Sequence, residues 1–267
     1  MIEGRRPRGM RPYAYAVVSR LADRGVVVTG ASSGIGRAIA LRCAHEGAQV
    51  LAAGRREQAL RELAAEAPQG RVHVHAADLV AAGAAETMVA AAVERLGRVD
   101  GVVHAAGTVW RGEDIRESGD DELRAFLDAN LGVTLRVARA ALRPMMAANA
   151  GSLVLLGSQL AHIGAPGYAS YTAAKGGVTA LARALAADAG PHGVRVNVLA
   201  PGVVKTPLAY VNRPDFDDQI DAIAARHPLR RIGAPEDMGG PAVFLLSDDS
   251  AWMTGQTLIV DGGYTVQ

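Results

Sequence analysis

Residues 26–36 read Val26-Val-Val-Thr-Gly-Ala-Ser-Ser-Gly-Ile-Gly36, and this stretch decides the expected fold. The valine run is typical of a strand buried on both faces, and a helical composition follows the glycines. The glycines permit a tight turn, close approach of the main chain to a diphosphate, and close packing of the helix on the strand. A Gly/Ser turn without a ligand is the alternative, but the order of strand, loop and helix favours a dinucleotide site. The residues predicted to contact the dinucleotide here are Gly30, Ser32, Ser33, Gly34, Ile35 and Gly36.

Short apolar runs alternate with Ala-, Leu- and Arg-rich stretches along the rest of the chain. Such alternation predicts a parallel sheet with helices on both faces. Strands are predicted near residues 26–29, 49–53, 72–76, 99–104, 153–157, 194–199 and 257–260. Helices are predicted near residues 35–46, 56–66, 83–96, 121–148, 170–189, 207–226 and 235–246. No repeat or low-complexity linker interrupts them, so we expect a single α/β domain over residues 21–267 with a doubly wound, seven-stranded parallel sheet.

The composition is that of a globular protein of low net charge. The 267 residues are 49% hydrophobic and 21% charged, and the formal net charge is +1. Residues 1–20 contain five arginines and one acid, and we expect them to form a disordered or tag-like tail. The remainder has no cationic face for nucleic acid and no apolar run of the ~18 residues that a membrane span needs. The single cysteine fits a reducing compartment, so we expect a cytoplasmic protein with no nucleic-acid or membrane partner.

The end of the second predicted strand bears on the choice of cofactor. An acid there would accept hydrogen bonds from the adenosine ribose and favour NAD(H), but the sequence reads Gly54-Arg55-Arg56. Arg55 could pair with a 2′-phosphate through its planar donors, or belong to a solvated arginine pair that opens the next helix. NADP(H) is therefore preferred, and NAD(H) remains possible. After the third strand, Asp78 and Leu79 are expected to meet the adenine.

Tyr171 and Lys175 are four residues apart in a predicted helix, so both side chains share one face. A phenol has a pKa near ~10, and a neighbouring ammonium lowers that pKa by stabilising the phenolate. Tyr171 could then give a proton to a carbonyl oxygen or take one from an alcohol. The spacing also occurs on ordinary helix surfaces. The chain, however, has 26 arginines and two lysines, which favours a specific use of the compact charge of Lys175.

Two further polar residues have both a chemical and a local interpretation. Ser158 closes the fifth predicted strand, where open α/β sheets bind ligands, and could bond the substrate oxygen or be an ordinary turn serine. Asn130 lies inside a predicted helix, where asparagine is unfavourable. It could cap or kink that helix, or hold a water molecule in a proton relay.

Together these segments resemble the short-chain dehydrogenase/reductase family over about residues 21–266. The matching pieces are TGASSGIG at 29–36, Asn130, Ser158, YTAAK at 171–175, NVLAPG at 197–202 and TGQTLIVDGG at 254–263. The resemblance implies a Rossmann fold and a catalytic tetrad of Asn130, Ser158, Tyr171 and Lys175, with Tyr171 and Lys175 also contacting the cofactor. It implies that the nicotinamide pocket is lined by Pro201, Gly202, Val204 and Thr206. Members are usually homotetramers, sometimes dimers, so self-association is also implied.

One segment departs from the family pattern. Where members often have Asn-Asn-Ala-Gly after the fourth strand, this chain has His104-Ala-Ala-Gly107. The alanine side chain of Ala105 cannot brace the sheet, so other groups must do so. Ala105, Ala106 and Gly107 are still expected to form cofactor surface. We interpret His104 as a packed or hydrogen-bonded strand-end residue rather than a catalyst.

The substrate is less well indicated. The likeness is greatest to bacterial 3-oxoacyl-[acyl-carrier-protein] reductases and to sugar and polyol dehydrogenases. An acidic carrier protein would need basic residues around the site, and the segments after the helices at 121–148 and 170–189 have few. Lys205 could bind an anionic group or be solvated. The predicted substrate pocket consists of Ser158, Gln159, Leu160, His162, Tyr168, Tyr171 and Leu208, together with other residues of the stretch 208–227. His162 could contact a polar substrate or be an exposed loop histidine.

Three functions follow from these observations. The first is hydride transfer between NADP(H) and a small carbonyl or secondary-alcohol substrate, with Tyr171 as general acid/base. The second is reduction of a 3-oxoacyl group on acyl carrier protein. The third is binding of NADP(H) without turnover, as in a sensor or scaffold. A metal is not expected, because His73 and His75 alternate on a strand without further ligands.

Overall fold

Seven parallel strands form the centre of the structure, in the order β3-β2-β1-β4-β5-β6-β7. This computed structural model describes residues 19–110, 112–211, 213 and 215–267. Most of the predicted tail, residues 1–18, lies outside the described residues. The strands are β1 Gly25–Thr29, β2 Gln49–Gly54, β3 Val72–Ala76, β4 Gly101–His104, β5 Gly151–Leu156, β6 Val194–Pro201 and β7 Thr257–Val260. The doubly wound seven-stranded sheet predicted from the sequence is thereby confirmed.

Helices cover both faces of the sheet. They are α1 Gly34–His45, α2 Glu57–Glu66, α3 Ala84–Leu96, α4 Asp120–Leu127, α5 Val133–Ala147, α6 Ala169–Ala189, α7 Phe216–Ala225 and α8 Gly239–Leu246. The strand order reverses between β1 and β4, and this reversal is the point at which open α/β sheets bind their ligands.

The alternating side chains of β1 explain why the sheet is buried on both faces. Val26 and Val28 join a core with α1 and α8, whereas Val27 joins the opposite core with α3, α5 and α6. All three valines are completely buried. Each such side chain contributes about 1.5–3 kcal/mol relative to an exposed one, so a continuous valine run is stable only inside two helix layers.

The helix predicted at 121–148 is interrupted in the structure. A π-helical turn, Asp128–Gly132, separates α4 from α5 and contains Asn130. One residue more per turn shifts the hydrogen-bond ladder without changing the helix direction, so the 3.6-residue periodicity does not reveal it. The prediction of one continuous helix over 121–148 was therefore wrong, and the interruption falls at Asn130, where a cap or kink was one of the alternatives.

The helix predicted at 207–226 also needs correction. The structure has a short 3-10 turn, Pro207–Tyr210, and then α7, which begins at Phe216. Proline at position 214 lacks an N–H and disfavours helical conformation at the residue before it, which the apolar pattern did not take into account. The other strands and helices lie where they were predicted, with shifted ends. Within the described residues, no helix is long and apolar enough to cross a bilayer.

Candidate active site

A cavity of about 150 Å³ lies at the carboxyl ends of β4, β5 and β6, among the residues that follow these strands. The predicted site residues that line it are Ile35, Ala105, Gly107, Ser158, Gln159, Leu160, Tyr168, Tyr171, Lys175, Pro201, Gly202, Val204, Thr206 and Leu208. We call this cavity the cleft. The remaining predicted residues lie around it or away from it, and they are Gly30, Ser32, Ser33, Gly34, Gly36, Arg55, Asp78, Leu79, Ala106, Asn130 and His162.

Tyr171 and Lys175 come together in the cleft, on the first turns of α6. The Lys175 Nζ lies 5.9 Å from the centre of the Tyr171 ring. Lys175 is only 6% exposed, and its Nζ donates a 2.8 Å hydrogen bond to the carbonyl oxygen of Leu156 at the end of β5. Burial lowers the pKa of Lys175 to about 8, since desolvation disfavours the ammonium. The Lys175 ammonium therefore lies beside the Tyr171 ring, and the acid/base role of the pair stays a prediction.

Ser158 follows β5 after Gly157 and caps a 3-10 turn. Its Oγ accepts a hydrogen bond of 3.1 Å from the Leu160 N–H, and the side chain is 7% exposed. The serine thus caps a turn, as the local interpretation holds, and it also lines the cleft. Because Oγ accepts from the main chain, its hydroxyl hydrogen remains to be donated to a substrate oxygen.

Asn130 is held by the main chain on both sides of its amide. Nδ2 donates to the carbonyl oxygen of Phe126 at 3.1 Å, and Oδ1 accepts from the Thr108 N–H at 3.1 Å. A Cβ at Gly107 would lie 3.1 Å from Asn130 Oδ1 and 3.8 Å from Lys175 Nζ, so Gly107 lies between these two side chains. The distorted helix is thus explained locally, and the water relay stays a prediction.

The glycine loop is closed by contacts that exclude side chains. Gly30 has φ +67°, and a Cβ there would lie 2.8 Å from the Ala106 nitrogen. A Cβ at Gly36 would lie 2.4 Å from the Gly30 carbonyl oxygen. Helix α1 has no side-chain cap and no acid in its first turn, so its N–H groups are left for an anion. These residues fit a dinucleotide diphosphate.

His104 is buried between β1 and the cleft. Thr29 Oγ1 accepts from the N–H groups of Ala105 at 3.1 Å and Ala106 at 3.2 Å, so its own hydrogen goes to His104 Nδ1, 2.8 Å away. Burial, and then the charge of Lys175, lowers the His104 pKa to about 3 and keeps the ring neutral. The packed histidine predicted from the sequence is what the structure has. Thr29 supplies the bracing that Ala105 cannot.

The end of β2 has two arginines with different surroundings. Arg56 donates from Nη2 to the carbonyl oxygen of Ser32 in the glycine loop, at 3.0 Å. Arg55 is exposed and makes no hydrogen bond or ion pair with the described residues. A Cβ at Gly54 would lie 3.2 Å from Ser32 Oγ, so the loop passes close to this strand end. Sequence reasoning identified Arg55 and missed the contact of Arg56, which has no sequence signal.

The expected adenine contacts are only partly available. Asp78 is exposed, and its Oδ1 accepts from the Val80 N–H at 3.1 Å. Leu79 is 6% exposed, so its side chain belongs mainly to the core. The carboxylate of Asp78 can therefore still meet an adenine amino group, whereas Leu79 would act through its main chain.

The substrate side of the cleft differs from expectation at several positions. His162 is exposed and does not line the cleft, because it follows the short 3-10 turn after Ser158. Lys205 pairs with Asp217 at 3.1 Å and lies outside the lining. Ala209 and Arg213 line the cleft within the stretch 208–227 that was expected to contribute to the pocket, whereas Val109 lines it and was not predicted. They come from irregular segments, which have no periodicity to mark an inward face.

Glu113 was also missed by the sequence analysis. This carboxylate is 9% exposed and accepts hydrogen bonds from Ser170 N–H at 2.8 Å and Ser170 Oγ at 2.5 Å. Ser170 is the second residue of α6, so Glu113 caps the helix that carries Tyr171. Among the described residues, no cluster of His, Cys, Asp and Glu could hold a metal ion.

The chain is similar to reductases and dehydrogenases over most of its length. A family model described as "Enoyl-(Acyl carrier protein) reductase" matches residues 30–265. The short-chain reductase protein NovJ of Streptomyces niveus is 39% identical, over 89% of this chain and 92% of that protein. L-rhamnose 1-dehydrogenase (NAD(P)(+)) of Sphingomonas sp. (strain SKA58) is 37% identical, over 92% of this chain and 98% of that protein.

Two further likenesses bear on the fold and the substrate. The 3-oxoacyl-[acyl-carrier-protein] reductase FabG of Escherichia coli (strain K12) is 33% identical, over 89% of this chain and 95% of that protein. The crystal structure of a short-chain type dehydrogenase/reductase from Mycobacterium marinum superimposes with a TM-score of 0.87 at 29% identity. That superposition covers 94% of this chain and 100% of the other.

Proposed function

The chain belongs to the short-chain dehydrogenase/reductase family, whose members are oxidoreductases of alcohol and carbonyl groups, and we propose that it transfers hydride between NADP(H) and a small carbonyl or secondary-alcohol substrate. One observation carries the proposal. Tyr171, the buried Lys175 and Ser158 line the same cleft. This cleft lies at the edge of the sheet where the glycine loop follows β1.

In reduction, Tyr171 gives its phenolic proton to the carbonyl oxygen, and in oxidation the phenolate takes the proton from the alcohol. Ser158 donates a hydrogen bond to the same oxygen and fixes its position. The Lys175 ammonium, held against the Leu156 carbonyl, stabilises the phenolate. Pro201, Gly202, Val204 and Thr206 would hold a nicotinamide, which would supply or accept the hydride when bound.

Two features support NADP(H) over NAD(H). Arg55 offers an exposed guanidinium that the described residues do not occupy, and Gly54 leaves no acid at the end of β2. A planar guanidinium matches a phosphate with two parallel hydrogen bonds, whereas it has no preference for a ribose hydroxyl. The nicotinamide side would be held by Pro201, Gly202, Val204 and Thr206.

The test is a panel of aldehydes, ketones and oxo acids with NADPH or NADH, and of secondary alcohols with NADP⁺, followed by absorbance of the reduced nicotinamide. We expect carbonyl-dependent oxidation of NADPH. NADPH binding without turnover of any member of the panel would instead support a sensor or scaffold.

Reduction of a carrier-bound 3-oxoacyl group is the alternative that the likeness to FabG supports. Of the arginines on α5 and α6 that could attract a carrier protein, Arg139 is paired with Glu86. Arg143 and Arg183 are exposed and would have to attract the acidic carrier. Faster turnover of a 3-oxoacyl group on carrier protein than of the same group on a small thiol would favour this alternative.

Self-association as a homotetramer or dimer is also proposed. Leu135 on α5 is 47% exposed and lies in a shallow apolar depression with Leu142, Met146 and Leu185. A second copy would bury this surface. Light scattering after size exclusion should show an oligomer that Leu135→Glu reduces to smaller species. The single buried cysteine supports a cytoplasmic location.

A further inference from the structure

Arg213 brings a second positive charge to the cleft that holds Tyr171 and Lys175. We propose that Arg213 binds a carboxylate of the substrate, so that the natural substrate class is an oxo acid or the corresponding hydroxy acid. This inference rests on the proposed function, since it names the substrate of the same site.

The guanidinium of Arg213 is held in place by neutral groups. Its carbon lies 4.9 Å from the centre of the Phe216 ring, and Phe216 is completely buried. Its Nη2 donates to Gln219 Oε1, and Gln219 in turn donates to Asp215. Stacking and one amide contact orient the planar fork while leaving other N–H groups for a ligand.

Two other cations of this part of the chain are neutralised by carboxylates, whereas Arg213 is not. Lys205 pairs with Asp217 at 3.1 Å, and Arg231 pairs with Asp237 at 2.5 Å. Arg213 forms no such ion pair with the described residues, because the Gln219 amide stands between it and Asp215. A half-buried, oriented guanidinium without a carboxylate is a site for an anion.

The rest of the cleft lining limits what that anion can be. Of the described residues that line it, Arg213 and Lys175 are the charged ones, and none is an acid. Lys175 is assigned to the phenolate, which leaves Arg213 for the substrate. Around it, Val109, Leu160 and Leu208 offer apolar contact. Because part of this cleft of about 150 Å³ is assigned to the nicotinamide, the space that remains beside one guanidinium suits a short carbon chain with a carbonyl and a single planar carboxylate.

The experiment compares oxo acids with their methyl esters, which keep the carbonyl and lose the charge. The series is 3-oxobutanoate, 4-oxopentanoate and 5-oxohexanoate. It identifies the chain length that spans the cleft. For the best acid, Arg213→Gln should lower kcat/KM by about 10–100-fold, mostly through KM, as expected for a lost hydrogen bond to a charged group. Its ester should change by less than about threefold, and Arg213→Lys should recover part of the loss.

Lys205→Gln is the matched control, since it removes an exposed cation from the same segment without touching the cleft. It should leave the ratio of acid to ester activity unchanged. Equal losses for acid and ester in Arg213→Gln would overturn the assignment, as would a raised KM for NADPH, which would place Arg213 on a cofactor phosphate.

Binding of hexanoate, which cannot react, separates this inference from the proposed function. Calorimetry with NADP⁺ present should show binding by wild type and by Lys205→Gln, and loss of it in Arg213→Gln. If no carbonyl compound is turned over, the proposed function fails while hexanoate still reports on Arg213. Absence of hexanoate binding to the wild type, or binding that Arg213→Gln retains, refutes the carboxylate site.

Discussion

Two sides of the cleft are built in different ways. The cofactor side, residues 29–36 and 105–107, is closed by main-chain contacts, such as the 2.8 Å from a Cβ at Gly30 to the Ala106 nitrogen. On the substrate side, the described residues between 108 and 119 and between 207 and 233 form mainly turns and the short helix α7. Side-chain pairs hold it together, among them Glu113 with Ser170 and Lys205 with Asp217.

The difference separates what is general from what is specific in this enzyme. A diphosphate is recognised by main-chain N–H groups, so any sequence that supplies the glycines and the helix can bind it. A substrate is recognised by individual side chains, which can change without disturbing the sheet. Substitutions should therefore affect cofactor binding on one side and substrate selection on the other, while the residues between them affect both the chemistry and the stability.

Tyr171→Phe should have the largest effect, because Tyr171 stands between the two sides. Removing the phenolic hydroxyl removes the proton donor but leaves the ring packed against Tyr168, whose centre is 6.4 Å away. We expect kcat to fall by about 10²–10⁴-fold. Dissociation constants for NADPH, measured by fluorescence titration, should stay near the wild-type value. A loss below tenfold would make Tyr171 a positioning residue.

Glu113→Ala should have the next largest effect, confined to the substrate side. It removes the carboxylate that caps α6 at the N–H and Oγ of Ser170. Hydrogen bonds to charged groups and helix caps of this kind are worth about 2–3 kcal/mol together, or roughly 5–10 °C in Tm. The KM for substrate should rise and the KM for NADPH should not.

Glu117→Ala is the control for this change, since it removes an exposed acid of the same segment. It should leave Tm and both KM values near those of the wild type. Weaker binding of NADPH by Glu113→Ala would contradict the division between the two sides.

The same division explains what the sequence could and could not predict. Gly30, Gly34 and Gly36 mark the cofactor side, because only that backbone conformation and close packing require glycines in this order. Apolar runs predicted the inner strands for a similar reason, since strands covered on both faces need continuous apolar residues. In both cases a structural requirement on neighbouring residues leaves a recognisable pattern in that stretch of sequence.

The substrate side has no comparable pattern. Glu113 and Ser170 are 57 residues apart in the chain, and neither has a spacing that suggests the other. His162 looked like a pocket residue because it follows Ser158 closely, but the short 3-10 turn between them takes it to the surface. Arg213 is one of 26 arginines, and only its place in the cleft distinguishes it.

Lys175→Met should lower turnover by less than Tyr171→Phe does, and yet stabilise the protein without cofactor. Burial lowers the Lys175 pKa from 10.5 to about 8, so at pH 7 the folded state holds a disfavoured charge. Methionine removes that charge, and the lost hydrogen bond to Leu156 offsets part of the gain. A net gain of about 1–2 kcal/mol, or roughly 2–6 °C in Tm, is expected at pH 7.

The pH dependence identifies the cause of this stabilisation. Below pH 8 the lysine is protonated in both the folded and the unfolded state, so the full penalty is present. Between about pH 8 and 10.5 the folded state loses its proton first, and the advantage of the methionine variant should disappear. Lys205→Met, at an exposed site, is the control. A Tm difference that is the same at pH 7 and pH 10 would mean that packing, not charge, explains it.

Arg55→Gln should have the smallest effect, because main-chain groups on the cofactor side do most of the binding. The exposed guanidinium would serve only the 2′-phosphate, so its loss should lower kcat/KM with NADPH by about tenfold and leave that with NADH unchanged. Arg61→Gln, on the adjacent helix α2 and paired with Glu57, should change neither value. If Arg55→Gln lowers kcat/KM equally with NADPH and with NADH, the guanidinium supports the loop itself. The cofactor side would then depend on side chains, as the substrate side does.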